Sequence, residues 1–174
     1  MPRRAIGHLV GAALIVSMTS NTAMRAEAPA ALAGLQFLLG EWEAIGEQAG
    51  AAGGSTFTAS VQGHTIVRTN YSVTPAKGST PASRHDDLMV IYVEDDRVKA
   101  DYFDSEGHVI RYAVEARRDD VVVFVSEIQT AAPRYRLTYT RRSPTLIAGT
   151  FEIAPPGKPD GFSAYLSWTA RKTK

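Results

Sequence analysis

Ten short runs rich in valine, isoleucine, tyrosine, phenylalanine and threonine follow one another along most of this chain. Turn residues separate them at intervals of roughly eight to twelve positions, which is typical of consecutive β-strands. A candidate short helix, Ala30–Leu39, precedes them, and no helical period competes after it. A series of strands without intervening helices predicts an all-β domain, either an antiparallel barrel or a sandwich. The ten predicted strands are Glu41–Gln48, Thr56–Gln62, Thr65–Val73, Leu88–Glu94, Arg97–Asp104, His108–Arg117, Asp120–Ile128, Arg134–Arg141, Thr145–Ile153 and Phe162–Arg171.

Composition narrows the classes of function. The 174 residues suit one domain. Nineteen basic residues against 18 acidic residues leave a formal net charge of +1, which argues against nucleic-acid binding because that function needs a concentrated basic surface. The chain contains no cysteine, so disulfides, thiolate metal sites and cysteine nucleophiles are excluded.

Residues 1–28 have the pattern of a secretory signal peptide. Two arginines near the start are followed by an apolar stretch, Leu9–Met18, that is too short to span a bilayer core of roughly 30 Å. Residues 26–28 (Ala-Glu-Ala) provide a small-x-small cleavage site. An amphipathic or core helix is the alternative interpretation. Cleavage after Ala28 would leave residues 29–174 as the barrel domain, without an integral membrane segment, and predicts a periplasmic or secreted protein.

The turn at 105–107 sets the register of one hairpin. Its glycine falls where a three-residue hairpin loop needs a left-handed residue. This loop places Asp104 opposite His108. It also places Asp101 opposite Arg111, so both pairs bring opposite charges together across neighbouring strands. The spacing therefore predicts that the two pairs lie on opposite faces of the sheet.

Two-residue loops at 95–96 and 118–119 extend this register to the neighbouring strands. The second loop places Tyr112 opposite Val125 and brings Glu127 to the same face as Asp104. That face is mostly apolar and is predicted to be the interior. Its members are Met89, Ile91, Val93, Val98, Ala100, Tyr102, Ile110, Tyr112, Val114, Val123 and Val125.

The lengths of the connections distinguish the two ends of the predicted barrel. In up-and-down order, the tight turns fall at one end and the longer connections fall at the other, beside the turn at 105–107. The longer connections are 49–55, 74–87, 129–133 and 154–161. The sequence therefore predicts a cup whose mouth carries Asp104, His108 and Glu127.

Residues 38–42 (Leu-Leu-Gly-Glu-Trp) resemble the glycine-x-tryptophan signature that opens the first strand of calycins, the lipocalin-like barrels. With ten strands, the chain is more similar to the fatty-acid-binding and nitrobindin-like branch than to eight-stranded lipocalins. Residues 91–92 (Ile-Tyr) and 101–112 (DYFDSEGHVIRY) resemble a family of exported, uncharacterised bacterial barrels of this type. The resemblance extends over about residues 35–172 and implies a ten-stranded antiparallel up-and-down barrel with a short N-terminal helix.

The same resemblance implies two further features. Trp42 is expected near the closed end, where Arg171 of the last strand covers its ring. Nitrobindin-like relatives can hold haem through a histidine, which the resemblance places in the last three strands. The histidines of the mature chain lie elsewhere, so neither haem nor another cofactor is expected; they are His64, His85 and His108.

A second polar group, His85, Asp86 and Asp87, falls in the predicted connection 74–87. Neighbouring residues rarely converge on one ion. This group is therefore interpreted as loop polarity, and no metal site is predicted.

The cluster at the mouth is the candidate ligand-binding site. His108 facing Asp104, with Glu127 on the adjacent strand, could orient a polar group or act in acid–base chemistry. Tyr102 and Tyr112 beneath them would line an apolar slot with hydroxyl groups. The alternative is that Asp104 and His108 only fasten the end of a hairpin.

These features predict an exported lipocalin-like barrel that binds a small, partly apolar or amphipathic molecule at its open end. No known catalytic signature is present. An enzyme of unknown chemistry that uses the histidine–carboxylate cluster is the first alternative. A barrel filled by its own side chains, with a structural or envelope-interaction role, is the second alternative.

Overall fold

Ten antiparallel strands close into a barrel in the computed structural model, which describes residues 29–46, 52–129 and 131–174. Each strand pairs with its neighbours in sequence, and the first strand completes the ring by pairing with the last. The predicted all-β, ten-stranded up-and-down fold is confirmed. The predicted signal peptide lies outside the described residues. The strands are β1 (Gly40–Ile45), β2 (Ala52–Ser60), β3 (Thr65–Thr74), β4 (Ser83–Glu94), β5 (Arg97–Asp104), β6 (Val109–Arg118), β7 (Val121–Ser126), β8 (Arg134–Ser143), β9 (Leu146–Ala154) and β10 (Ser163–Lys172).

A 3₁₀ helix, Ala30–Leu38, precedes the barrel and confirms the predicted short helix. Three of its leucines recur at every third position and are fully buried, because a 3₁₀ helix has three residues per turn and so places them on one face. A guanidinium N–H of Arg117, near the end of β6, donates to the carbonyl of Ala31. The helix therefore covers the end of the barrel that carries the tight turns. The three leucines are Leu32, Leu35 and Leu38.

The predicted registers of the hairpins β4–β5 and β5–β6 are confirmed. The two residues of the turn at 95–96 have φ angles of 50° and 58°, the left-handed pair that a two-residue hairpin turn requires. Met89 lies opposite Tyr102. Asp101 lies opposite Arg111. The inner and outer faces of these three strands are therefore those expected from the sequence.

The predicted register of β6 with β7 is wrong by two residues beside the turn and by one residue beyond a β-bulge. The turn lies at 119–120 instead of 118–119, and a β-bulge interrupts the pairing at 114–116. Tyr112 consequently faces Ser126 and not Val125. Because side chains alternate between the two faces of a strand, this slip exchanges the whole of β7 between interior and exterior.

The exchange changes which valines belong to the central core. Val122 and Phe124 are fully buried and belong to the central cluster. The prediction placed Val123 and Val125 there, but neither belongs to that cluster, although Val125 is also buried. The backbone N–H of Glu127 bonds to the carbonyl of Arg111 on β6, at 3.4 Å. The side chain of Glu127 is exposed, so it does not belong to the mouth cluster.

The two ends of the barrel differ as predicted, with one correction. The tight turns lie at the end covered by the helix, and the connections 75–82, 105–108 and 155–162 lie at the other end, the mouth. The prediction made 74–87 one long connection, but β4 begins at Ser83. Residues 85–87 therefore belong to a strand and alternate between its two faces.

Apolar side chains fill the middle and the closed end of the barrel. Gly149 on β9 makes room for the indole of Trp168 on β10, because a Cβ built at this glycine would lie 2.1 Å from the ring. Trp168 itself packs edge-to-face on Tyr139, with ring centroids 6.0 Å apart. The buried cluster in the barrel comprises Trp42, Phe57, Ile66, Met89, Ile91, Val98, Ala100, Tyr112, Val122, Phe124, Leu137, Tyr139, Ile147 and Ala170.

Trp42 is 3% exposed, and its Nε1–H donates to the carbonyl of Leu38 at the end of the helix, at 2.7 Å. A basic residue of β10 covers the ring, but it is Lys172, whose Nζ lies 5.3 Å from the ring centroid. Arg171, predicted for this role, lies opposite Glu43 in the strand register and is exposed. Lys172 lies directly opposite Trp42 and so shares its face of the sheet, whereas Arg171 points to the other face.

Candidate functional site

Two carboxylates face each other inside the mouth of the barrel. Asp87 on β4 lies directly opposite Asp104 on β5. Their side chains are only 4% and 6% exposed. Buried charges need partners of opposite charge or several hydrogen bonds, so the surroundings of each carboxylate define the site.

Arg68 on β3 compensates the charge of Asp87. Its guanidinium forms an ion pair with Asp87 and also donates to the hydroxyl of Tyr139. Asn70 donates a further hydrogen bond to Asp87, at 2.8 Å. Burial alone would lower the pKa of Arg68, but Tyr139 and Asp87 outweigh it and raise that pKa. Among the described residues, the Arg68 Nε has no hydrogen-bond partner.

The loop between β5 and β6 holds Asp104. One carboxylate oxygen accepts the backbone N–H groups of Glu106 and His108 at 3.0 and 2.8 Å, and the other lies 2.8 Å from the His108 Nδ1. Burial works to raise the pKa of Asp104, but the bonds from His108 and Glu106 outweigh it and lower that pKa. Gly107 has a φ of 87°, as the loop type requires. The predicted contact between Asp104 and His108 is present, with the imidazole largely exposed.

His85, not His108, stands at the centre of the cluster. Its Nδ1 lies 2.7 Å from a carboxylate oxygen of Glu106, and its Nε2 lies 3.2 Å from the hydroxyl of Tyr102 and 3.5 Å from Asp87. One third of the His85 side chain is exposed. Burial works to lower the pKa of His85, but Glu106, Asp87 and Asp104 outweigh it and raise that pKa.

Tyr102 connects the two halves of the cluster. Its hydroxyl lies 3.2 Å from His85 and 3.5 Å from Asp104, and the guanidinium of Arg68 lies 5.8 Å from its ring centroid. Burial, followed by the field of Asp87, raises the pKa of Tyr102. The phenol therefore stays protonated at neutral pH and can donate a hydrogen bond to a ligand.

The structure brings together three of the five predicted site residues. Tyr102, Asp104 and His108 lie in the cluster. Tyr112 belongs instead to the core below the site, where it is 3% exposed and packs edge-to-face on Phe124. Glu127 lies outside the barrel, because the register of β6 with β7 differs from the predicted one and leaves its side chain exposed.

The sequence interpretation missed Arg68, Asn70, His85, Asp87 and Glu106. For two of them a signal existed: extending β4 backwards at the period of two from Met89 places Asp87 and His85 on the inner face. Asp86, between them, faces outward and pairs with Arg84 at 2.6 Å. The interpretation of 85–87 as a polar loop is therefore wrong.

Aromatic side chains occupy the opposite wall of the mouth, on strands β8 to β10, which lie across the barrel from β4 and β5. Tyr135 stacks on Phe151 with centroids 5.8 Å apart, and Tyr165 packs edge-to-face on Phe151 at 6.3 Å. Tyr135, Phe151 and Trp168 are only partly buried, although they pack against the core. The mouth therefore has a polar wall and an aromatic wall.

Two depressions lie outside this cluster. One, of about 220 Å³, is at the rim of the mouth and is lined by Ile128, Ala132, Arg134, Pro155 and Pro159 among others. The other, of about 380 Å³, runs along the outer surface of β1 to β4. The rim depression adjoins the aromatic side of the mouth and could extend a site there.

No protein-family model matches the chain, and a search of curated proteins found no match. Within the ranges that the structure describes, no helix is both long enough and apolar enough to cross a membrane. The class of protein defined by the fold is a closed, ten-stranded antiparallel β-barrel.

Proposed function

We propose that this chain is an exported barrel of the calycin type that binds a small, partly apolar molecule at its open end. The observation that supports this most directly is the change in burial along the inner face. The inward side chains of Ile66, Met89 and Ile91 in the middle and lower barrel are at most 1% exposed. His85 and Tyr102 on one wall of the mouth and Phe151 on the other keep accessible surface. Side chains that face inward and remain accessible indicate a depression open to solvent, which is the usual form of a small-molecule site.

The two walls suit an amphipathic ligand. The hydroxyl of Tyr102 and the imidazole of His85 offer hydrogen bonds to a polar end. Phe151 and Trp168 offer apolar surface to the rest of the molecule. The unmatched Nε–H of Arg68 adds a buried donor for an acceptor from outside the chain, either water or a ligand atom. Because the core fills the lower barrel, the site is shallow.

A titration with an uncharged fluorescent amphiphile, N-phenyl-1-naphthylamine, tests this proposal. Tyr102→Phe removes only a hydroxyl from the polar wall and should weaken binding by about twofold to tenfold, as the loss of one hydrogen bond does. Phe151→Leu removes an aromatic ring from the opposite wall and should also weaken binding of the amphiphile. Tyr92→Phe, on the outer face of β4, is the matched control and should bind like the wild type. Absence of saturable fluorescence, or equal affinity in all four proteins, would contradict a site in the mouth.

The proposal of export rests on the sequence of residues 1–28. A basic start, a short apolar stretch and the Ala-Glu-Ala site support removal of this segment during secretion. Intact-mass measurement of the protein isolated from its source should give residues 29–174. A mass that includes residues 1–28 would count against export by this route.

A second candidate function is that of a filled barrel that acts through its outer surface. The packed core of the lower barrel favours it, and so does a row of exposed apolar residues across β4, β5 and β6. These are Leu88, Phe103 and Val109, which are 39%, 41% and 60% exposed and lie side by side. If the amphiphile does not bind, Phe103→Ser should disrupt co-purification of an envelope partner, while the melting temperature stays within a few degrees.

A further inference from the structure

We propose that His85, Asp104 and Glu106 form a site for a divalent transition-metal ion at the mouth of the barrel. One ligand atom from each residue lies within 4.8 Å of the other two. Atoms that bind one ion at about 2.0–2.2 Å are at most about 4.4 Å apart. Small side-chain rotations about the present positions would therefore bring the three atoms onto one ion.

The three residues are supported as metal ligands usually are. Asp104 is fixed by two backbone N–H groups and by the imidazole of His108. His85 presents Nδ1 to Glu106, while its Nε2 faces Asp87 and the Tyr102 hydroxyl. A metal-bound histidine normally directs its other ring nitrogen to a carboxylate or similar acceptor, which fixes the tautomer and the ring orientation. Asp87 is in position for that role.

The charges around the site also favour a cation. Three carboxylates surround the two histidines. Asp87 and Glu106 each lie within 4 Å of His85, and Asp104 lies within 4 Å of His108. Among the described residues, Arg68 is the permanent cation that pairs with any of them. With both imidazoles neutral, the group carries a net charge of −2, which one divalent ion would neutralise. The direct opposition of Asp87 and Asp104 makes such compensation favourable, because like charges opposite each other destabilise a sheet.

A separate observation concerns a buried donor beside this cluster. Arg68 bonds to Asp87, its side chain is 5% exposed, and its Nε has no acceptor in the part of the chain that the structure describes. Buried donors of this kind are normally satisfied by a ligand or by ordered water. A water molecule carried by a bound ion could accept this N–H.

The ligand types indicate which ions bind. One imidazole nitrogen with two carboxylates suits Zn²⁺, Mn²⁺ or Co²⁺ better than Ca²⁺, which prefers oxygen ligands alone. Partial exposure of His85 and Glu106 leaves coordination positions open to water or to a small molecule. This inference does not depend on the proposed binding of an organic ligand.

Calorimetric titration of the metal-stripped protein with ZnCl₂, and separately with CaCl₂, tests the site. We expect one Zn²⁺ per chain and much weaker Ca²⁺ binding. Glu106→Gln and His85→Ala should each weaken Zn²⁺ binding more than about tenfold, the scale of effects in metal sites. Because Glu106 is half exposed, Glu106→Gln should fold normally, and a thermal melt checks this.

Two matched controls remove a carboxylate and an imidazole that lie away from the proposed metal site. Asp160→Asn changes a carboxylate of the rim that is 89% exposed, and His64→Ala changes a histidine at the closed end. Both should bind Zn²⁺ within twofold of the wild type. Absence of saturable Zn²⁺ binding, or binding within twofold of the wild type in Glu106→Gln or in His85→Ala, overturns the proposed ligand set. Because no organic ligand is added, this test fails or succeeds independently of the amphiphile titration.

Discussion

Asp87 lies directly opposite Asp104 inside the barrel mouth, and the two carboxylates have partners on different elements. Arg68 of β3 pairs with Asp87, and His108 of the β5–β6 connection pairs with Asp104. His85 lies beside both and contacts Glu106. The mouth is therefore a connected polar network on one wall, set above an apolar core.

Asp87→Asn should be strongly destabilising, because it leaves the buried guanidinium of Arg68 without its charge partner. Loss of one member of a buried ion pair costs about 3–5 kcal/mol, and urea unfolding at pH 7 measures it. Asp86→Asn is the matched control on the same strand, since Asp86 forms its pair with Arg84 at the surface. Little change is expected there. Equal effects of the two substitutions would show that the Arg68–Asp87 pair does not stabilise the fold.

The closed end depends on Trp42 and its covering lysine. Trp42→Ala should cost about 3–5 kcal/mol, as large-to-small changes in a core do. Lys172→Ala should cost about 0.5–1 kcal/mol through loss of the cation–π contact, whereas Arg171→Ala should change little. Thermal and urea unfolding of the three variants measures the order. A larger effect for Arg171→Ala than for Lys172→Ala would restore the interpretation made from the sequence.

Gly149→Ala should destabilise the barrel by about 1–3 kcal/mol, because the new methyl group would overlap the indole of Trp168. Trp168→Phe in the same chain should recover part of that loss, since the smaller ring leaves room. A double-mutant cycle by urea unfolding measures this coupling. If the effects of the two substitutions simply add, the close approach of the ring is not the cause.

Acid should weaken the contact between Arg136 and Glu152. The hydrogen bonds from Arg136, at 2.6 Å, are the main cause of the lowered pKa of Glu152. A carboxyl group with a lowered folded-state pKa stabilises the fold above its unfolded pKa of 4.5 and loses that contribution as the pH falls through the folded value. The difference in unfolding free energy between wild type and Glu152→Gln should therefore shrink between pH 5 and about pH 3, measured by urea unfolding. A difference that stays constant over this range would contradict the assignment.

Much of the fold could be predicted because turns and alternation agree locally. The paired aspartates at 95–96 and the glycine at 107 fix two hairpins without knowledge of the rest of the chain. The register of β7 could not be predicted in this way. Residues 121–125 are apolar at every position, so the period of two does not show which face is buried, and the bulge at 114–116 adds a shift.

The candidate site was predicted only in part, for a different reason. His85 and Asp87 are polar residues in a strand, and their burial depends on Arg68 and Asn70 of the neighbouring strand. This compensation between strands is not visible in the local sequence, so a charged segment resembles a loop. The contact between Asp104 and His108 was predictable because it is set by one short turn.

Native mass spectrometry of the protein purified from its own source can detect a ligand held in the mouth of the barrel. We expect one non-covalent organic ligand per chain, released on denaturation and depleted in a Tyr102→Phe variant expressed in the same host. Two results together would contradict a ligand site at the mouth. One is a protein without any organic adduct under gentle ionisation, and the other is the absence of saturable binding of the fluorescent amphiphile.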